Sequence, residues 1–499
     1  MNRNNIWIHI TLAVVLIAFA AVVGQIGRWR AALSQQSESV ITRGSGTTLA
    51  PDRNRPEVLV RFKPGMDQNQ ARAIAAANND VLVDEIESIR GLVTIDDLDN
   101  ADAKTVAALY TAMPGVEYAE PNFEIKLDEQ FLKHPLAQDL LLREEKLVID
   151  RKSGPQHKRA LEPMIPNDPM FIDQWALNNL GASGGTNRAD VDAIEAWSKT
   201  TGSEDVVVAV LDSGVDYNHK DLVNNIWQRP ASIKAYSDDE LGTFADVHGY
   251  DATNADGRSH VGKGNGVLMS DPMDENGHGT HCAGIIGAEG NNGFGIAGIN
   301  WKVKIMPLKF LDRNGVGDVE DAIEAINYVI DRKKAGVNIR VISGSFGSNQ
   351  FSQGLKDAIK AAGDEGILFV AAAGNDGTNN DSLPHYPSNY DLPNVVSVAA
   401  LDRNDRITSF SNFGSGSVHI AAPGKDILST WLGGGFKSIS GTSMATPYVS
   451  GVAALIVSQN PRISVTDLRK RLMSSVDKLD GLGGKVESGG RICADKATE

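Results

Sequence analysis

Three short segments of this chain carry residue types that can make and break acyl bonds. Asp212-Ser213-Gly214-Val215-Asp216 places a carboxylate before a glycine turn. Asn276-Gly277-His278-Gly279-Thr280-His281-Cys282-Ala283-Gly284 sets an imidazole between two glycines. Gly441-Thr442-Ser443-Met444-Ala445-Thr446-Pro447 sets a hydroxyl among small residues that let a substrate backbone approach. A serine hydroxyl is a poor nucleophile at neutral pH and needs a base within hydrogen-bond reach, and histidine titrates in the right range. The imidazole needs a buried carboxylate to hold its tautomer and stabilise the imidazolium. Asp212, His278 and Ser443 therefore read as acid, base and nucleophile. A fourth segment, Ala371-Ala372-Ala373-Gly374-Asn375-Asp376-Gly377, puts Asn375 in a glycine turn after an apolar run, where its amide could donate to an oxyanion. Taken singly, Asp212 could cap a turn, His278 could be a satisfied core histidine and Ser443 an ordinary helix cap. Those readings fail jointly, because all four segments occur together.

Such residues need rigid supports. Val206 to Leu211 is a continuous apolar run ending at Asp212, the pattern of a buried parallel strand with a functional residue at its carboxyl end. Further strands are expected at 303–308, 341–342, 367–373 and 395–400. Helices are expected at 279–288, 318–332, 354–365, 443–459 and 464–475. This alternation implies an α/β domain, three layers with a mostly parallel sheet. The helix from Ser443 would place the hydroxyl at a helix N-terminus, where backbone dipoles favour developing negative charge. Upstream, strands at 57–62 and 92–95, helices at 70–78 and 101–113, and a closing stretch at 116–122 make a small α+β module of about 70 residues, a size only marginally stable alone.

The chain has 499 residues and a net charge of −15, so a basic nucleic-acid footprint is missing and no nucleic-acid partner is expected. Its two cysteines, Cys282 and Cys493, are too few for a disulfide framework and read as free thiols. His278 and His281 lie three apart without the glutamate of a zinc-binding H-E-x-x-H pattern, so His281 is given a structural role. Ile6 to Val23 is almost wholly apolar with Arg28 and Arg30 after it, an export signal over residues 1–30 that is either cleaved or kept as an anchor through 6–23. Residues 31–55 read as a polar linker. Residues 127–165 read as an exposed, charged connector containing a processing site. A secreted or periplasmic protein is expected, membrane-anchored if 6–23 is retained.

Together the four segments resemble the subtilisin-like serine proteases, the subtilase family (peptidase S8), over about residues 165 to 495. The family order Asp, His, Ser is kept. The resemblance implies a subtilisin-like peptidase domain at 166–499, a monomer that cleaves protein and peptide substrates as a serine endopeptidase. It makes Asn375 the oxyanion donor. It assigns Ser345-Phe346-Gly347 and Ala371-Ala372-Ala373-Gly374 to the two walls of the primary pocket, and Gly315-Val316-Gly317 to a second substrate-binding edge. Substrate would lie extended between the edges, and small pocket walls suggest broad specificity with an apolar preference. Residues 56–126, notably Pro114 to Asn122, resemble the family's propeptide, an intramolecular inhibitor and folding aid. The resemblance also implies structural calcium, with Gln174, Asp221 and either Asn291 or Asn292 as ligands, in a loop of oxygen donors that suits that ion. A second acidic group, Asp251, Asp256, Asp271 and Asp274, reads equally as an ion site or a solvated loop.

Overall fold

The computed structural model describes residues 57–127, 164–238, 242–254 and 267–499. The export signal, the linker, most of the connector and Asp256 lie outside the described residues. Among the described residues no helix is long and apolar enough to cross a membrane.

The N-terminal module runs β1 (Glu57–Phe62), α1 (Gln68–Ala77), β2 (Asp80–Glu85), β3 (Leu92–Asp97), α2 (Ala103–Thr111), β4 (Val116–Pro121) and β5 (Glu124–Lys126). Its four-stranded antiparallel sheet has the order β2-β3-β1-β4. Both helices start where an aspartate in extended conformation caps the first turn: Asp67 accepts from the Gln70 N–H and Asp102 from the Thr105 N–H. The sequence pattern finds every element but β2 and β5. Asp80-Val81-Leu82-Val83-Asp84-Glu85 carries acids at both ends, and β5 has only three residues.

The large domain continues with α3 (Ala193–Trp197), β6 (Gly202–Asp212), β7 (Ser237–Asp238), β8 (Gly242–Ala245), β9 (Tyr250–Asp251), β10 (Val267–Met269), α4 (His278–Gly287), β11 (Lys302–Lys309), β12 (Val316–Asp318), α5 (Val319–Lys334), β13 (Ile339–Gly344), α6 (Gln353–Asp364), β14 (Leu368–Ala372), β15 (Val395–Leu401), β16 (Ile420–Pro423), β17 (Ile427–Trp431), β18 (Gly435–Ile439), α7 (Thr442–Gln459), α8 (Val465–Ser474), β19 (Val476–Lys478), β20 (Gly490–Ile492) and α9 (Ala494–Ala497). Nine strands form one sheet in the order β19-β20-β16-β15-β14-β13-β6-β11-β9, and all its ladders but β19–β20 are parallel. Such a sheet is covered on both faces, which explains the unbroken apolar run of β6: every residue from Val206 to Asp212 is buried. One core packs α4, α7 and α8 against the sheet and another packs α5 and α6 against its other face. β6 lies between β11 on one side and β13 on the other, and the chain builds the β11 side before crossing to the β13 side. β6 is thus the switch point of the topology, the place where open α/β sheets bind ligands at their carboxyl ends.

The N-terminal module rests on α5 and α6. Its Leu59, Ile86, Ile89, Leu92 and Ile125 belong to the same core as Ile323, Leu355 and Ile359 of those helices. Each such aliphatic side chain gains about 1.5–3 kcal/mol when fully buried, so apolar contact supplies the bulk of the attachment. Polar groups set its register. Glu120 reaches the start of α6, accepting from the Ser352 hydroxyl at 2.6 Å, the Gln353 N–H at 2.8 Å and the Gly354 N–H at 2.9 Å. The Asn122 side-chain Oδ1 accepts from the Glu320 N–H at 3.0 Å at the start of α5. Both contacts satisfy orphan N–H groups at the positive end of a helix dipole. Tyr118 donates to Asp357 at 3.0 Å, and Arg61 pairs with the same carboxylate.

The module is therefore expected to loosen when the Glu120 cap is removed. Glu120→Ala should weaken the attachment in the uncleaved chain by about 2 kcal/mol, read as earlier urea unfolding of the module. Unchanged unfolding would mean that the apolar contact alone holds it.

Candidate active site

Asp212 ends β6 and His278 begins α4, and the two meet in the interior. The His278 Nδ1 lies 2.8 Å from one carboxylate oxygen of Asp212 and 2.9 Å from the other. Asp212 is fully buried and His278 is 2% exposed. A carboxylate acceptor at this distance places the proton on Nδ1 and leaves Nε2 as the basic nitrogen. Close approach requires glycine at position 279. A Cβ there would sit 2.1 Å from the Gly214 carbonyl oxygen and 3.1 Å from the Asp212 Cβ.

A second carboxylate, Asp274, builds the turn that presents His278. It accepts from the Asn276 N–H, the Gly277 N–H, the Thr280 N–H and the Thr280 hydroxyl, all at 2.6–2.9 Å, and from the Ser213 hydroxyl at 2.9 Å. Ser213 in turn accepts the Gly279 N–H at 3.0 Å. Asp274 thus caps α4 and ties it to the end of β6. Burial raises its pKa, while the hydrogen bonds oppose that shift. In the sequence this residue reads only as part of an acidic group. The structure also separates its companions: Asp251 accepts from the Thr253 hydroxyl, and Asp271 from the Tyr217 hydroxyl.

His281, one turn along α4, faces away from this chemistry. Its Nε2 lies 3.0 Å from both the Ile427 and Lys437 carbonyl oxygens, so it carries the proton and donates. Burial first, then the nearby His278, depresses its pKa to about 3, and it stays neutral. It fastens α4 to the hairpin of β17 and β18. Cys282 and Cys493 are both free and buried, and burial pushes both thiols up, that of Cys493 to about 12.

Ser443 lies in the first turn of α7, whose residues from Thr442 to Val457 are all buried. Pro447 falls four residues later and has no N–H, so the Ser443 carbonyl loses its intrahelical partner. Two side chains replace it: the Ser345 hydroxyl donates to that oxygen at 2.9 Å and the Cys282 thiol at 3.5 Å. The Ser443 hydroxyl itself donates to the Ser345 carbonyl at 3.1 Å. Asn375 faces the same turn. Its Oδ1 accepts from the Thr442 N–H at 2.8 Å and the Thr442 hydroxyl at 3.0 Å, which makes the amide nitrogen the outward, donating end. Gly374, before it, adopts φ +107°, and a Cβ there would strike the Asn412 amide at 2.4 Å.

The segments expected to hold substrate flank this centre. Gly315-Val316-Gly317 does carry an added strand, supplied by the chain itself. β5 pairs antiparallel with β12, with Lys126 opposite Val316, Ile125 opposite Gly317 and Glu124 opposite Asp318. The Leu127 N–H continues the ladder to the Gly315 carbonyl at 2.9 Å. Ser345-Phe346-Gly347 follows β13, and Ala371 to Gly374 spans the end of β14. Between these two stretches lies His385. A Cβ on Gly347 would sit 2.0 Å from its ring, and one on Gly374 3.0 Å from it. No sequence signal pointed to this histidine, which lies outside all four segments.

The expected calcium ligands are divided. Asp221 accepts from the Asn292 amide at 2.9 Å and the Ile296 N–H at 2.8 Å. The Asn291 side-chain oxygen accepts from the Asn167 N–H at 3.3 Å. Gln174 spends both ends of its amide on the backbone of Ala297, each at 2.8 Å. The structure adds Asp168, which accepts from the Asn291 N–H at 2.6 Å. Burial, helped by the charges of Asp168 and Glu289, pushes the Asp221 carboxyl up to about 7. Acids held close together in an oxygen-only donor set fit a hard cation.

Comparison with known proteins agrees with this geometry. Residues 203–489 match the model of the subtilase family, and residues 54–122 match the fervidolysin N-terminal prodomain. The chain is 35% identical to thermitase of Thermoactinomyces vulgaris over 334 residues, 67% of this chain and 99% of that protein. It is 38% identical to a thermophilic serine proteinase of Bacillus sp. (strain AK1) over 288 residues, 58% of this chain and 60% of that protein. A cell wall-associated protease of Bacillus subtilis (strain 168) is 36% identical over 317 residues, 63% of this chain but 31% of the relative.

The contact of Gly279 with Gly214 and Asp212 has a direct consequence. Gly279→Ala should displace the carboxylate from His278 and lower peptide-bond hydrolysis by at least about 100-fold. Activity within threefold of the parent would mean that the α4 turn tolerates the shift.

Proposed function

Because the chain belongs to the subtilase family, we propose that it is a serine endopeptidase, made as a precursor that matures itself, with Asp212, His278 and Ser443 as its catalytic triad. The buried Asp212–His278 pair at the switch point of the sheet, facing the first turn of α7, carries this reading. The Ser443 hydroxyl turns from the Ser345 carbonyl to His278 Nε2 when substrate binds, since hydrogen bonds in an uncomplexed site tighten only in the reacting complex. Ser443 attacks the scissile carbonyl as His278 takes its proton. The Asn375 amide and the N–H groups at the start of α7 stabilise the oxyanion. His278 then protonates the leaving amine, and water releases the acyl group by the reverse sequence. Asp212 holds the imidazole throughout.

Substrate lies as an extended strand on β12, the place that β5 takes in the precursor. The first side chain on the acyl side of the cut enters between Ser345-Phe346-Gly347 and Ala371–Gly374. These walls favour apolar side chains, with His385 adding a polar patch to the pocket. Occupation of β12 by Glu124–Lys126 supports the reading of 56–126 as an inhibitory propeptide and of 127–165 as the segment that is cut. Asp168, Asp221, Asn291 and Asn292 would hold a structural calcium ion, which ties the loop after α4 to the start of the domain and takes no part in the chemistry. Export through residues 1–30 places the enzyme outside the cytoplasm.

The first test compares intact masses of the wild-type chain and Ser443→Ala, both without residues 1–27, after incubation with calcium. Wild type should lose a fragment ending between residues 127 and 165, while Ser443→Ala stays whole. Asn375→Ala should process slowly, with the loss of about 10²–10³ in turnover known for removing such a donor from subtilisin. If all three stay whole, self-maturation is wrong. Calcium binding at the Asp168–Asp221 loop should raise the melting temperature of Ser443→Ala relative to chelated protein. The Asp221→Ala variant should lose a distinct part of that increase, and an unchanged increase would remove the assignment.

A further inference from the structure

The two stretches that flank the first side chain on the acyl side of the cut each turn a glycine towards the same ring. A Cβ on Gly347 would sit 2.0 Å from His385 Cε1, 2.6 Å from its Nε2 and 2.8 Å from its Nδ1. A Cβ on Gly374 would sit 3.0 Å from its Cδ2. Atoms in a packed interior do not approach so closely, so the ring takes the space that side chains at both positions would need. The imidazole therefore lies across the gap between the walls, facing a bare Cα on each side. His385 is 8% exposed, so only a small part of it reaches open space.

The backbone beneath the ring is fastened to both walls. Tyr386, the next residue, exchanges two main-chain bonds with Ser348, the residue after Gly347. The Ser348 N–H donates to the Tyr386 carbonyl at 2.8 Å, and the Tyr386 N–H to the Ser348 carbonyl at 2.7 Å. The His385 N–H donates to Asn389 Oδ1 at 3.2 Å. Its carbonyl accepts from the Ser388 hydroxyl at 2.6 Å and the Asn389 N–H at 2.9 Å. The Asn389 amide then donates to the Asn380 carbonyl, and the Asn380 amide to the Ala373 carbonyl, each at 2.8 Å. That last bond reaches the second wall. With the backbone held from both sides, a deeper pocket requires the ring itself to leave.

We propose that His385 is the floor of the primary pocket and sets its specificity. It limits the first side chain on the acyl side of the cut to short ones, of the size of alanine, serine or valine. Aromatic and long basic side chains are excluded. The inference rests on the reading of 345–347 and 371–374 as pocket walls and deepens it: the walls set the apolar character, and His385 sets the length. A side chain longer than the space must push the ring or the walls out of place, and that strain is felt most where the reacting bond has to be held closely. The fitting substrate is an extended protein segment with a small residue at this one place.

The test uses the matured wild-type enzyme and two p-nitroanilides, succinyl-Ala-Ala-Pro-Ala and succinyl-Ala-Ala-Pro-Phe. They differ only in the side chain that enters the pocket. Wild type should cleave the alanine peptide with a kcat/KM at least about tenfold above that for the phenylalanine peptide. His385→Gly should move the ratio of the two towards phenylalanine by at least about tenfold. A merely structural role would lower both rates together and leave the ratio in place. If His385→Gly does not fold or mature, His385→Ala takes its place, and the preference of wild type decides beside it. Hydrolysis of unfolded casein, with Ser443→Ala as the blank, checks the endopeptidase reading separately. Casein cut by a wild type that prefers phenylalanine, or with a ratio that the His385 variant leaves unmoved, overturns the role of His385 alone. Hydrolysis of neither casein nor peptide overturns the endopeptidase reading and this inference with it.

Discussion

The structure depends on placing the carboxylate of Asp212 in its interior. Asp212 is fully buried at the end of a strand buried along its functional half, and an isolated charge there would be prohibitive. It persists because its oxygens are occupied. One accepts from the Ser213 N–H at 2.7 Å, and both face the His278 imidazole. Much of the surrounding sequence serves that single requirement. Glycine at 279 lets the helix come close enough, glycine at 214 turns the chain at φ +95° beneath the Pro272 carbonyl, and Asp274 gathers the loose N–H groups of the turn. The sheet contributes rigidity: β6 is held by β11 and β13 on either side, so the end of the strand cannot drift.

The same logic explains why a separate prodomain precedes the domain. A parallel sheet of this size joins strands far apart in sequence, and closing those loops costs entropy before any contact repays it. The prodomain has a short, local antiparallel sheet and reaches the two helices that cover one face of the large sheet. Glu120 and Asn122 meet the first turns of α6 and α5, where N–H groups lack partners within their helices. Its tail then lies along β12. Two side chains thus hold the starts of two helices while a short main-chain ladder completes the edge at β12.

Much of this was legible in the sequence. Unbroken apolar runs pointed to the central strands, and small residues around Asp212, His278 and Ser443 pointed to the candidate site. What stayed hidden is instructive. β2 escaped because two of its acids are buried, Asp80 against the Tyr110 hydroxyl of its own module and Asp84 beside Asp238 and Glu324, which a pattern of alternating polarity cannot distinguish. β5 is three residues long and exists only through its partner strand. Asp274 looked like one acid among several, and only folding reveals it as the cap of α4. Asp168 and His385 lie far along the chain from the loops they join, and nothing in their immediate neighbours announces the contact. Gln174, expected to face an ion, is instead engaged with the backbone of Ala297.

Pro447 carries a last implication. By removing the N–H that would bind the Ser443 carbonyl, it leaves the first turn of α7 without a bond of its own at that residue. The substitutes come from Ser345 and Cys282, which belong to other layers of the fold. The first turn of α7 is thus incomplete in an isolated helix and gains these bonds only when sheet and helices have assembled around it. A chain whose layers have not yet met lacks both partners of that carbonyl, so this turn is completed only together with the rest of the architecture.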